Sequence, residues 1–317
     1  MTAVRHVGHF SGALTGLAIG FASAALVLVP WLLTGARLPV QNLWQYEVLP
    51  GDMPRALLPV SEYYALRIAV MLFIGGTLAG LAVRLLRRLV EVPPWSAAVG
   101  VLVVHSIAII QSFAVVADGL RLHEPRVDQR AVLYFGGLLG GTIFAVFLTQ
   151  GVFWLATRKS VSVASLGMAL SAVPFSLWIV DTASMLSSPG ALPPEIPAIG
   201  KWLPAVLVAV VLAWCGLHPL RRLLVWITSL AGLWITPALF TSVGNALGMR
   251  VLNGDLSAMR EVATEIFPLA LGLFLPPTLL ALALATVLTG VNMTIRRRRP
   301  AKHSPGEHAP MPTDIPP

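Results

Sequence analysis

The sequence predicts an all-α, polytopic transmembrane bundle of about eight helices, built as two tandem four-helix repeats in parallel orientation. Three observations predict it. Of 317 residues, 56% are hydrophobic and only 11% charged, against roughly 25% charged in a soluble domain, and the mean hydropathy is +0.79. The apolar residues gather into runs of about 20, the length of a helix that crosses a bilayer. Arginines recur at every second connection between runs.

The spans fall near 12–33, 66–86, 96–117, 132–156, 162–180, 203–219, 223–245 and 266–293. Each must be helical, because an unpaired backbone amide in hydrocarbon costs several kcal/mol. Span 1 follows a short basic segment, as the apolar part of a signal peptide would. Its run from Ala13 to Leu33 exceeds the roughly 7 to 15 residues usual there, and the small residues Ala22, Ser23 and Ala24 lie inside it. It is read as an uncleaved first span.

The connection from Thr34 to Tyr64 contains Leu43, Trp44, Tyr46 and Val48. It is too apolar for a free linker and should lie on the membrane or pack over the spans. It also carries Glu47 and Asp52, read as solvated carboxylates; a lipid-linked transferase would use an acid in such a loop.

Span 2 carries Gly76 and Gly80, span 1 carries Gly12, Gly16 and Gly20, and span 4 carries Gly136, Gly137, Gly140 and Gly141. Small residues four apart let helix backbones approach closely. Span 3 holds His105, Ser106, Gln111 and Ser112, with Asp118 at its outer end. On a helix, His105 and Ser112 share one stripe and Gln111 and Asp118 another, so span 3 is expected to be surrounded by protein. Span 7 carries Thr228, Ser229, Thr236, Thr241, Ser242 and Asn245, and spans 3 and 7 are expected to be central and adjacent. Pro174, Pro237 and the pair Pro276-Pro277 lie within spans, where proline kinks or breaks a helix.

An even number of spans returns both termini to one side. That side holds Arg5, Arg84, Arg87, Arg88, Arg158, Lys159, Arg221, Arg222, Arg296 to Arg299 and Lys302, which is 13 of the 22 basic residues. The positive-inside rule then places both termini in the cytoplasm, in a protein integral to the cytoplasmic membrane. The net charge of +8 is topological, so no nucleic-acid partner is implied. Cys215 is the single cysteine, which excludes an intramolecular disulfide.

The repeat rests on matched landmarks. Span 2 ends LAVRLLRRLV (81–90) and span 6 ends LHPLRRLLVW (217–226); Gly119 and Arg121 answer to Gly248 and Arg250, and Arg130 to Arg260. Residues 1–160 form the first unit with its long outer loop, 161–295 the second, and 296–317 a basic, proline-rich, disordered cytoplasmic tail. Four crossings per unit give both units one orientation, as in transporters with parallel repeats.

No Asp, Glu, Lys or Arg lies near the middle of any span, which argues against a carrier driven through a buried carboxylate. The histidine spacing fits no metal site, no catalytic or phosphate-binding motif appears, and no cofactor is implied. The candidate substrate pathway is His105, Gln111, Ser112, Gln150, Asn245, Pro276 and Pro277. The candidate outer-face charges are Asp118, Arg121, Arg130, Arg250 and Arg260. These favour a transporter or lipid-handling permease with a route between the units. The alternatives are a non-catalytic membrane subunit, docking a partner through glycine faces or the first outer loop, and a transferase acting on a lipid-linked substrate. Membrane lipid is the expected partner in each case.

Overall fold

The computed structural model describes residues 2–39, 41, 43–187, 193, 195–249 and 255–298, with side chains from residue 11 to residue 295 within those ranges. Among the described residues eight long helices follow one another: α1 (Thr2–Leu33), α2 (Ala65–Leu86), α3 (Pro94–Gly119), α4 (Gln129–Thr157), α5 (Val161–Leu186), α6 (Glu195–Cys215), α7 (Arg221–Gly248) and α8 (Leu256–Arg298). All eight are long and apolar enough to cross a membrane. Among the described residues there is no strand, only an isolated bridge between Arg37 and Arg55. The tail from 299, with Lys302, lies outside the described residues.

Local chemistry sets the helix ends. Proline stands at the first position of α3, where its missing N–H costs nothing. The Asp128 carboxylate caps α4, accepting from the Arg130 N–H at 2.9 Å. Gly216 closes α6 at φ 72°, the left-handed geometry glycine adopts without strain. Its carbonyl accepts from the Trp226 indole at 3.2 Å, and the Cys215 carbonyl accepts from Arg222 at 2.6 Å.

Within α1–α4, α1 packs on α2 and α3, α2 on α3 and α4, and α3 on α4. Within α5–α8 the corresponding pairs pack: α5 on α6 and α7, α6 on α7 and α8, α7 on α8. In neither set do the first and fourth helices make an extensive contact among the described residues. The sets join chiefly through α5, which packs on α2, α4 and α1.

Two ends can be told apart. At the basic end, Arg84 and Arg87 donate to the Arg158 and Thr157 carbonyls, satisfying the last turn of α4, and the Arg84 guanidinium lies 5.3 Å from the Trp214 ring centroid. Burial lowers the Arg87 pKa. At the opposite, loop end, the described residues between 34 and 64 fold over α1–α4 with Leu38, Met53, Leu58 and Val60 buried in the core beneath. The Trp31 indole donates to the Ala56 carbonyl at 2.9 Å, and the Gln45 N–H to the Gly119 carbonyl at 3.1 Å. This loop packs over the spans, as its apolar content required.

One expectation is corrected. Among the described residues, spans 3 and 7 are neither central nor in extensive contact: α2 and α5 occupy the middle, and α3 turns Ile107 and Ile110 outward. Of the two outcomes open to the Pro276-Pro277 pair, a kink or a break, the break does not occur: α8 runs unbroken for 43 residues through Pro268, Pro276 and Pro277. Breaking a helix in lipid would orphan more backbone groups than the two donors these adjacent prolines remove.

The glycines of α1 and α2 are consumed within the chain. A Cβ on Gly20 would overlap the Ala97 carbonyl oxygen and come within 2.9 Å of Gly100 Cα and Val101 N on α3. Gly76 and Gly80 receive Thr149 and Phe153 of α4 in the same way. At Gly136, Gly137, Gly140 and Gly141 an added Cβ would meet nothing within 4 Å, so this face of α4 stands open.

Candidate functional site

The candidate site is a cavity of about 330 Å³ surrounded by α2, α5, α6, α7 and α8. Its loop-end mouth is polar, formed by Tyr64 just before α2, Arg67 in the first turn of α2, Asp181 near the end of α5 and Lys201 from α6. Its depth is apolar, lined by Val70, Val173, Leu177, Leu233, Phe274 and Pro277. Pro204 and Pro237 complete walls of α6 and α7. Below it, α2 meets α5 where the buried Thr77 and Ser171 hydroxyls lie 3.0 Å apart. Each hydroxyl also reaches a carbonyl of its own helix, Phe73 and Gly167 respectively, so the seam is polar yet satisfied without water.

The mouth is organised by a bidentate ion pair. Arg67 Nε and an Nη donate to the two Asp181 carboxylate oxygens, each at 3.0 Å. The guanidinium also stacks over the Tyr64 ring, 4.3 Å from its centroid. Fork-to-fork pairing fixes orientation as well as distance, so the pair locks α2 to α5. Lys201 lies 5.4 Å from the Trp202 ring centroid, with no carboxylate within 4 Å among the described residues.

The sequence-predicted pathway residues are dispersed. Pro277 lines the cavity; His105, Gln111, Ser112, Gln150, Asn245 and Pro276 do not. Gln111 and Ser112 clamp the capping loop instead. The Gln111 carbonyl oxygen accepts from the Leu57 N–H at 2.8 Å, and its amide donates to the Arg55 carbonyl at 3.1 Å. The Ser112 hydroxyl accepts from the buried Leu58 N–H at 2.8 Å. Removing an acceptor from a buried N–H costs about 1–3 kcal/mol. Ser112→Ala and Gln111→Leu should therefore free the loop, raising amide exchange at Leu57 and Leu58 and protease cutting within 34–64, while the helices keep their protection.

His105 is buried against Gly75 of α2: a Cβ there would sit 3.1 Å from its Nε2. Its Nδ1 and the Gln150 amide nitrogen have no partner among the described residues. Asn245 donates to the Thr241 carbonyl of its own helix. The outer-face charges stay local. Asp118 pairs with His123 and Arg121 with Glu124, each at 3.3 Å and well exposed, where such pairs contribute about 0–1 kcal/mol. Arg130 and Arg260 are exposed, and Arg250 lies outside the described residues. Glu47 and Asp52 are exposed, away from the cavity.

Sequence reasoning missed Arg67, Asp181 and Lys201, and also the buried Glu62. The Glu62 carboxylate accepts from the Tyr134 hydroxyl at 2.6 Å, and that hydroxyl lies 3.2 Å from the Gln41 side-chain oxygen. The available signal was a charge at the first or last turn of spans 2, 5 and 6, which also marks an ordinary helix end. Set against known protein families, curated proteins and solved structures, the chain matches none of them.

Proposed function

We propose that this integral membrane protein is a permease, handling a lipid-like solute along a route that enters the cavity among α2 and α5–α8. The observation that carries the reading is the cavity itself: polar side chains at its loop end, an apolar depth reaching mid-helix, and the Thr77–Ser171 contact between α2 and α5 beneath. A cavity of this kind is what one state of an alternating-access route would offer.

In this reading α1–α4 and α5–α8 are tandem copies in one orientation. Their support is the shared packing pattern together with the matched landmarks in sequence. Both termini face the cytoplasm of the cytoplasmic membrane, supported by the basic connections at Arg84–Arg88, Arg158–Lys159 and Arg221–Arg222. A partner subunit docking through small-residue faces has less room than the sequence suggested, because α1 and α2 spend theirs inside the chain.

The test uses the lone, buried Cys215, replaced by alanine. Phe274→Cys at the cavity depth should react with an impermeant thiol reagent from the loop end, and in a fraction of molecules from the basic end. Thr77→Cys with Ser171→Cys, bridged by a short bifunctional reagent, should abolish reaction from the basic end alone. Labelling confined to the loop end with or without the bridge would refute a through-route and leave a binding pocket.

A further inference from the structure

We infer that the cavity takes an amphiphile with an anionic head, a phosphate or carboxylate on an apolar chain, and that Lys201 selects the charge. The inference rests on the cavity being a ligand site. It concerns what fits there and stands apart from whether the ligand crosses.

The charge argument comes from pairing at the mouth. Arg67 and Asp181 satisfy each other through two bonds of 3.0 Å. Lys201, on the same rim, has the Trp202 ring within reach and no carboxylate within 4 Å among the described residues. Among the described residues the rim therefore carries one uncompensated positive charge. Among the described residues Asp181 is the only acid lining the cavity; Glu195, also on α6, is exposed, and Glu62 is buried against Tyr134. A cationic head would be repelled, and a neutral one would leave Lys201 without a counterion in a partly desolvated place.

The body of the ligand follows from what lies deeper. Below the rim, the wall offers valine, leucine, phenylalanine and proline, and the Thr241 hydroxyl is already committed to the Pro237 carbonyl at 2.9 Å. A sugar or a hydrated ion placed there would lose hydrogen bonds it could not replace. About 330 Å³ is at the small end of ligand pockets, which run roughly 300–1,000 Å³. It suits a head and the first part of a single chain.

The experiment uses the purified full chain in detergent, loaded from mixed micelles of phosphatidylglycerol and phosphatidylcholine, with bound lipid counted by native mass spectrometry. The basic end attracts anionic lipid by itself, so the readout is the difference between wild type and variants. Wild type should retain phosphatidylglycerol over phosphatidylcholine by about tenfold, the weight of one charge-assisted contact. Lys201→Gln should erase that excess, Lys201→Arg should keep it, and Val180→Trp, which fills the cavity, should lose both lipids. Added dodecyl phosphate should displace the retained phosphatidylglycerol, while inorganic phosphate should not. Displacement by dodecyl phosphate of lipid still held in Val180→Trp would place the binding elsewhere and overturn the inference, as would displacement by inorganic phosphate. If both lipids bind equally, Lys201→Gln changes nothing and Val180→Trp removes both, the anion preference is wrong and the cavity reading survives. If Val180→Trp leaves all lipid in place, the cavity is no ligand site and both fail.

Discussion

Gly20→Ala is expected to lower the unfolding free energy by about 1–3 kcal/mol, although alanine is the better helix former. The new methyl would meet backbone, not a movable side chain: the Ala97 carbonyl, Gly100 Cα and Val101 N of α3. Relief requires α1 and α3 to separate, which loosens their whole seam and the Gly12 and Gly16 contacts on it. The control is Gly137→Ala on the open face of α4, where nothing lies within 4 Å. There only the helix preference acts, and stability should hold or rise by up to about 1 kcal/mol. Denaturant titration in detergent compares the two; equal shifts would show that the α1–α3 approach is not as close as described.

Arg67→Met and Asp181→Asn should each cost about 2 kcal/mol. The pair is partly buried, with side-chain exposures of 17% and 31%. That places it between surface pairs at about 0–1 kcal/mol and fully buried pairs, whose halves cost about 3–5 kcal/mol to remove. Most of the loss comes from stranding the remaining charge at the cavity mouth. The combined Arg67→Met and Asp181→Asn variant should therefore recover much of it, a coupling that only a double-mutant cycle reads. Strictly additive losses would mean that the two groups do not meet. A second consequence is geometric: since the pair fastens α2 to α5, the single variants should also raise thiol labelling at Phe274→Cys from the loop end.

The eight spans were legible because hydrocarbon thickness and backbone hydrogen bonding leave a chain this apolar few options. The boundaries at Leu86, Thr157 and Leu33 fall where charge, arginine or glycine interrupts the run. Which helices are central was not legible. Lipid tails and neighbouring helices are equally apolar, so a buried face and a lipid face look alike in composition. The polar residues of α3 suggested a core helix, yet Gln111 and Ser112 serve a loop that lies over its end. The glycine spacing correctly indicated close approach for Gly16 and Gly76, while the same spacing on α4 meets open space. Arg67 and Asp181, 114 residues apart, lie near the ends of two different spans, where charges are commonplace. Only folding brings them together.

The length of α8 has a mechanical consequence. Its apolar part, the run near 266–293, would measure about 42 Å at about 1.5 Å per residue, against a hydrocarbon slab of about 30 Å. The helix must lean, bend or thicken the bilayer around it, as a brace that meets α7 where the Trp234 indole holds the Leu271 carbonyl and α6 through a buried cluster that Ala281 and Ala285 share with Ala205 and Ala209. A thinner bilayer increases that lean or drives apolar turns into water. Phe274 and Pro277 ride on the brace, so the bore of the chamber is expected to change with the thickness of the membrane around it.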